Sequence, residues 1–351
     1  MHATAPQEAG PELAAKVAFL SRPDAYSPEP DAVTVRETHM SWVFLAGERV
    51  YKLKKPVRFP YLDFSTLARR EQACRAEIAL NRRLAPDVYL GVVPLTGTGG
   101  RLAIGGTGMA VDWLVSMNRL DERLMLENLI GAGAVTPAQI DRLAETLSQF
   151  YRAAAPVSMP PEVLLADLAR SLAYNKRVLL DARFCLPAGL VCRIDAAQRR
   201  FLARHGRLIA ARLRHRRVVD GHGDLRPEHI WLNDSIRIID CLEFNARLRA
   251  VDPVDEIAYL AMECERLGAG WVGERLRRHM GRALRDGPAD LLFTFYYCHR
   301  ATLRARLAIA HLLESHPRTP EKWPRRAREY LALADRSART LERLLRTPSG
   351  R

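Results

Sequence analysis

The chain has 351 residues, 48 % of them hydrophobic and 27 % charged, with a formal net charge of +14 at pH 7. That balance excludes an intrinsically disordered polyelectrolyte and supplies enough apolar mass for a large core in two lobes or domains. No apolar run of about 18 residues argues for a membrane span, and Met1–Gly10 lacks the basic-then-apolar pattern of a secretory signal, so a cytoplasmic protein is expected.

Residues 1–30 read as an N-terminal extension, with one short amphipathic stretch from Leu13 to Leu20 followed by Pro23, Pro28 and Pro30. Val33–Val35 and Trp42–Leu45 are β-branched or aromatic runs, and Arg49–Leu53 resumes after Ala46-Gly47-Glu48. This pattern predicts strand, turn, strand, with Gly47 where a tight hairpin needs positive φ. Pro56 and Pro60 break the chain, and Phe64–Leu84 is expected as a helix that Pro86 ends. Further strands are expected near Val92–Leu95 and Met109–Val115, around the glycine-rich turn Gly97–Gly108. Residues 31–117 therefore read as a small, mostly β lobe with one helix.

From Asn118 onward the periodicity is helical. Thr136-Pro137-Ala138-Gln139 offers an N-cap, a proline at the first helical position and a glutamine three residues after the cap. Helices are expected near 136–151, 161–181, 195–214, 253–267, 289–314 and 325–346, so residues 118–346 form a helical lobe. A β-rich segment, Gly221–Phe244, interrupts it.

The six cysteines (Cys74, Cys185, Cys192, Cys241, Cys264, Cys298) include no Cys-x-x-Cys pair, which argues against zinc and against a disulfide framework. The positive charge raises the question of a nucleic-acid partner. The excess is arginine spread through helical stretches, without a zinc-finger or RNA-binding signature, so nucleic acid is set aside in favour of a site for an anionic small ligand.

The segment richest in chemistry runs Val218-Val-Asp-Gly-His222-Gly-Asp224-Leu-Arg-Pro-Glu-His229-Ile-Trp-Leu. Asn233-Asp234 supplies a turn, and Ile238-Ile239-Asp240 closes a second apolar run. Phosphoryl transfer needs a carboxylate to orient or deprotonate the attacking hydroxyl and a cation to neutralise the phosphates. One carboxylate before a strand and another after its hairpin partner can converge on one point.

His222-Gly223-Asp224-Leu-Arg-Pro-Glu-His229 followed by Ile-Ile-Asp240 resembles the catalytic loop of the aminoglycoside phosphotransferase-like family. That family also includes choline and fructosamine kinases, and its loop reads His-Gly-Asp-x-x-x-x-Asn before a strand ending in Asp. An uncharacterised bacterial subgroup with the His variant is similar to this chain over most of its length. Some of its members continue into a P-loop kinase domain. No Gly-x-x-x-x-Gly-Lys-Ser/Thr motif occurs in these 351 residues, so that domain is not expected here.

The resemblance implies a protein-kinase-like, bilobal α+β fold with a small β-rich N-lobe and a larger, mostly helical C-lobe. It implies phosphorylation of a hydroxyl on a small-molecule acceptor with ATP and Mg²⁺, with Asp224 as catalytic base and Asp240 and His229 as metal ligands. His229 stands where the family has Asn, and imidazole is a poorer ligand for a hard cation. That departure supports the alternative of a weak or inactive nucleotide-binding pseudokinase acting through partners.

On the strand Arg49–Lys55, Lys52 and Lys54 share a face. The family pattern points to Lys52 as the phosphate-binding lysine, with Lys54 as the fallback, and to Glu77 rather than Glu71 as its helical partner. Ser41, in the glycine-free segment Glu37–Ser41, is the candidate phosphate cover through its hydroxyl and nearby N–H groups. Backbone groups of Asp112–Met117 are expected to read the adenine edge, with Met117 against the ring. Asp252 and Glu256 are expected to buttress the catalytic loop. Arg300 and Arg304 share a helix face that either binds an anionic acceptor or is ion-paired.

Overall fold

The computed structural model describes residues 12–59, 61–287, 290–313 and 319–346. Residues 1–11 of the expected N-terminal extension, the chain break at Pro60 and the two ends of the helix expected over 289–314 lie outside the described residues. The class is α+β. The chain divides into two compact units, one formed by the residues up to Glu122 with Arg237–Ala246, the other by Arg123–Ile236 with Arg247 onward.

The first unit begins with helix α1 (Leu13–Leu20) and strands β1 (Val33–Glu37), β2 (Ser41–Ala46) and β3 (Arg49–Lys54). A two-stranded ribbon, β4 (Arg58–Phe59) with β5 (Leu62–Asp63), leads into helix α2 (Leu67–Asn81), which Thr66 caps by accepting the Arg69 N–H. Strands β6 (Tyr89–Thr98), β7 (Arg101–Ile104) and β8 (Met109–Asn118) complete a six-stranded antiparallel sheet of order β1-β2-β3-β8-β6-β7. The Gly97–Gly108 segment thus holds a strand besides its turn, and the turn itself falls on Gly99 and Gly100, both with positive φ.

Side chains alternate across β3 as the pleat requires. Leu53 joins Leu20, Phe44, Leu95 and Leu114 in one apolar cluster, on the side that α1 covers. Val50 lies on the other side with Cys74 and Ile78 of α2, together with Tyr89, Val115 and Met117. Lys52 and Lys54 therefore point at α2. Asp112 of β8 ties both helices down, bonding Lys16 of α1 at 2.7 Å and Arg70 of α2 at 2.7 Å.

The second unit is mostly helical: α3 (Leu126–Gly131), α4 (Pro137–Ala153), α5 (Pro161–Leu179) and α6 (Ala188–Arg214). The capping box forms at the start of α4, where Thr136 and Gln139 bond each other's backbone N–H. Short strands β9 (Val219–Asp220) and β10 (Ile230–Leu232) follow; β11 (Ile236–Ile238) opens the segment that belongs to the first unit, and the chain returns through α7 (Ala246–Arg249). Strand β12 (Ala250–Val251) pairs with β9, and helices α8 (Pro253–Arg266), α9 (Gly270–Ala283), α10 (Asp290–Ala310) and α11 (Lys322–Arg346) complete the unit. The sequence reading has no helix over α9, whose three glycines lower its propensity. Burial of Val272, Leu276 and Met280 overrides that local preference. The main core gathers α5, α6, α8, α10 and α11 around Phe201, Phe295 and Tyr330.

Candidate active site

In the first unit, a lysine pair on β3 meets three carboxylates. Lys52 Nζ lies 2.9 Å from Glu77 Oε1 and 2.7 Å from Asp240 Oδ1. Lys54 Nζ lies 2.6 Å from Glu77 Oε2 and also bonds Glu243. Each oxygen of Glu77 thus receives its own ammonium. Burial works against a charged Lys52, but Asp240, Glu77 and Glu243 outweigh it and hold the ammonium well above its usual pKa. Burial pushes Glu77 up, yet Lys52 and then Lys54 more than compensate, and its carboxyl is lowered. Two ammonium groups against three carboxylates leave the cluster one negative charge in excess.

The segment carrying Asp240 is fastened by side chains. Asp240 adopts positive φ (62°), a conformation that Asp tolerates better than most residues. Its N–H donates to Tyr89 Oη at 3.1 Å. The next N–H, of Cys241, donates to Asn81 Oδ1 at 2.9 Å, and Asn81 Nδ2 donates to the Glu77 carbonyl at 2.9 Å. The helix that presents Glu77 therefore also positions Asp240. The Asp240 side chain stays 46 % exposed, whereas that of Glu77 is 1 % exposed. Glu71 faces outward on the same helix and pairs with Arg75.

Ser41 and Met117 belong to the same unit but to none of these ion pairs. Ser41 sits opposite Lys54 in the sheet, buried, and its N–H donates to Thr38 Oγ1 at 2.9 Å. That N–H is spent within its own turn. Met117 is packed in the apolar cluster under α2. Within Asp112–Met117, residues Leu114–Met117 pair with both β3 and β6, whereas Asp112 and Trp113 pair with β6 alone.

The second unit holds the His222–His229 loop. Glu256 of α8 is fully buried and accepts from the N–H groups of His222 (3.1 Å) and Gly223 and from Tyr151 Oη (2.8 Å). Burial pushes its carboxyl pKa up, while those donors pull it back. A Cβ at Gly221 would lie 2.3 Å from Val251 and 2.7 Å from the Glu256 carboxylate, so glycine is what lets the loop approach its clamp. Asp252 caps α8 through the Val254 N–H and is held by Arg212 at 2.7 Å.

Asp224 emerges from this clamped backbone. Tyr259 Oη donates to its Oδ1 at 3.1 Å, and Arg226 lies 2.8 Å from its Oδ2. Burial raises its pKa, but Arg226, His229 and Arg304 outweigh that and lower it to about 2, so the group is a carboxylate at neutral pH. His229 Nδ1 lies 2.9 Å from the Asp224 carbonyl, and Arg226 Nη2 lies 3.2 Å from Nε2. Nε2 thus faces a guanidinium and Nδ1 a backbone carbonyl. Both nitrogens therefore serve the loop, and neither is turned out as a metal ligand. Arg300 and Arg304 are ion-paired inside the unit, Arg300 with Asp255 at 2.6 Å and Arg304 with Glu263 at 2.6 Å.

The structure thus brings Lys52, Glu77 and Asp240 together in the first unit, and Asp224 with His229 in the second. Glu243, Tyr89, Arg226 and Tyr259 were not singled out from the sequence as site residues. Arg226 lies inside the loop motif, at a position the motif leaves unspecified. Tyr259 reads only as one more apolar position on α8.

No protein-family model matches the chain. It is 34 % identical over 291 residues to an uncharacterised protein of Mycobacterium tuberculosis, covering 81 % of this chain and 56 % of that one. The chain spans about half the length of the curated relatives it matches. Among solved structures it is similar to a choline kinase from Cryptosporidium parvum, with a TM-score of 0.56 at 11 % identity over 94 % of this chain and 95 % of that one. It is also similar to a thermostable aminoglycoside phosphotransferase mutant in ternary complex with AMP-PNP and hygromycin B, with a TM-score of 0.51 at 10 % identity over 91 % and 97 %. The chain therefore has the protein-kinase-like fold of small-molecule kinases.

Proposed function

We propose that this chain transfers the γ-phosphoryl group of ATP to a hydroxyl of a small-molecule acceptor. The observation that carries the reading is the Lys52 ammonium held between buried Glu77 and half-exposed Asp240. An ammonium so placed is fixed in position and fully charged, as a ligand for nucleotide phosphates must be. In this reading residues 31–117 are the nucleotide lobe and residues 118–346 the catalytic lobe.

Magnesium bound with ATP would neutralise phosphate charge. Asp240 fits it as a hard oxygen donor in a cluster with excess negative charge, and His229 does not. Lys52 binds phosphate oxygens, and Glu77 keeps it aimed. Asp224 accepts a hydrogen bond from the acceptor hydroxyl in place of the Tyr259 or Arg226 donor. The hydroxyl oxygen then bonds the γ-phosphorus, the bond from that phosphorus to the bridging oxygen breaks, and ADP leaves. With a pKa of about 2, Asp224 is a weak base. Its main work is orientation, and it takes the proton late, once the new O–P bond acidifies it. A cytoplasmic site of action suits this chemistry, since ATP is the donor and Cys74, Cys241, Cys264 and Cys298 are buried free thiols.

A second reading, a nucleotide-binding module without turnover, is favoured by the engaged ring of His229 and the spent N–H of Ser41. A melting-temperature panel with ATP, GTP and Mg²⁺, followed by an ADP-release screen of metabolite hydroxyls, separates the two. Stabilisation by Mg–ATP with ADP release on one acceptor class is the expected result. Stabilisation with no release on any acceptor supports the second reading, and no stabilisation by any nucleotide refutes both.

A further inference from the structure

The net charge is not spread evenly over the molecule. Helix α6 carries seven arginines and one aspartate, and α11 carries eight basic and three acidic residues. These two helices, fifteen basic side chains against four acidic, account for eleven of the fourteen net positive charges of the chain. In the sequence they lie more than a hundred residues apart. In the fold they pack side by side through Phe201, Ile194, Leu331 and Leu341.

Ion pairs along the seam set their register. Arg193 bonds Asp335 at 3.4 Å, and seven residues on, Arg200 bonds Glu342 at 2.9 Å. The constant offset means that the helices run in the same direction. Each seam carboxylate also takes an arginine from its own helix, Arg339 on Asp335 and Arg346 on Glu342. Two guanidinium groups thus share one carboxylate at each repeat, and positive charge remains in excess. Beyond the seam, Arg204 and Arg207 are exposed with no carboxylate in ion-pair range among the described residues. Arg193, Arg200 and Arg207 recur every seven residues, which spaces them roughly 10 Å apart along α6.

Among the described residues, the face carries no large exposed apolar side chain. The large exposed apolar side chains, such as Tyr174, Leu180 and Trp271, all fall outside α6 and α11. A helix that embeds in a bilayer surface needs bulky apolar residues on one side, and single-stranded nucleic acid needs aromatic platforms. Between these arginines the exposed positions are small, among them Ala196, Ala203 and Ala332. A rigid array of guanidinium groups without apolar anchors suits a regular row of phosphates.

We propose that the α6–α11 face of this chain binds the phosphate backbone of duplex nucleic acid without reading its sequence. The dispersal of arginine along the chain, which set such a partner aside, is undone by the packing of the two helices. The proposal is independent of the kinase reading.

The test is fluorescence anisotropy of the full chain with labelled DNA and RNA duplexes of about 24 base pairs, at about 50 and 200 mM KCl, where the expected fall in affinity is tenfold or more. The Arg204→Glu/Arg207→Glu variant breaks no ion pair and is expected to weaken binding about tenfold, with Arg204→Gln/Arg207→Gln intermediate. An equal charge change elsewhere, Arg58→Glu/Arg101→Glu, should shift affinity less than about twofold. No binding of either duplex at the lower salt overturns the proposal, as does an equal loss in both reversal variants. Capture by phosphatidylglycerol vesicles, lost in Arg204→Glu/Arg207→Glu while duplexes stay unbound, assigns the face to a membrane surface instead.

Discussion

The two candidate clusters are built on opposite plans. In the first unit, charged side chains hold one another: Lys52 and Lys54 share Glu77, and Asp240 and Glu243 complete the set. In the second, one buried carboxylate holds backbone, with Glu256 accepting from the His222 and Gly223 N–H groups so that Asp224 is presented on a fixed loop. The first plan suits groups that exchange partners when phosphates arrive, because each ion pair can be replaced by another. The second suits a residue whose position must not change. Lys54 stands apart within the first plan. Its side chain is 1 % exposed, and its partners are Glu77 and Glu243, so it anchors Glu77 for the more accessible Lys52.

Substitutions can break this contrast in order of expected size. Lys54→Met leaves Glu243 without its lysine and Glu77 with Lys52 alone, and should destabilise the fold by about 3–5 kcal/mol in denaturant melts. A loss under about 1 kcal/mol would show that Lys54 does not anchor the cluster. Glu256→Gln turns an amide N–H toward backbone donors and should cost about 1–3 kcal/mol while leaving the first unit's nucleotide response intact. A variant as stable as the parent would refute the clamp. Lys52→Ala should cost little stability, since Lys54 still neutralises Glu77. Its signature is instead a loss of the melting-temperature rise with Mg–ATP, and a full rise in the variant would remove Lys52 from the nucleotide site.

The smallest effect concerns pH. Asp224 has its folded-state pKa lowered to about 2 from 3.8, so its stabilising contribution is complete above the unfolded value and is lost only as pH falls through the folded one. The rate profile of the parent should accordingly show no acid limb from Asp224 between about pH 5 and 8. A limb in that window that disappears in Asp224→Asn would contradict the assignment.

How far the sequence could be read follows from the same contrast. The period-2 alternation of β3 shows that both lysines share a face, but alternation cannot rank them, and in the structure both bond Glu77. The interior position of β8 was not legible, because which strands flank Asp112–Met117 depends on long-range pairing. Glu256 was readable as a buttress from its place near the start of a helix. Arg226 was not, because an arginine in a loop carries no sign of what it will pair with. The α6–α11 face was hidden for a related reason: each helix alone shows an ordinary basic surface, and only their packing joins the two.

The most direct test of the central claim compares parent and Asp224→Asn for ADP release on a responsive acceptor and for Mg–ATP binding by calorimetry. Turnover should fall by about a thousandfold or more, with nucleotide affinity changed less than about threefold. Undiminished turnover in the variant would mean that Asp224 does not orient the acceptor hydroxyl, and the proposed chemistry would fail at its centre.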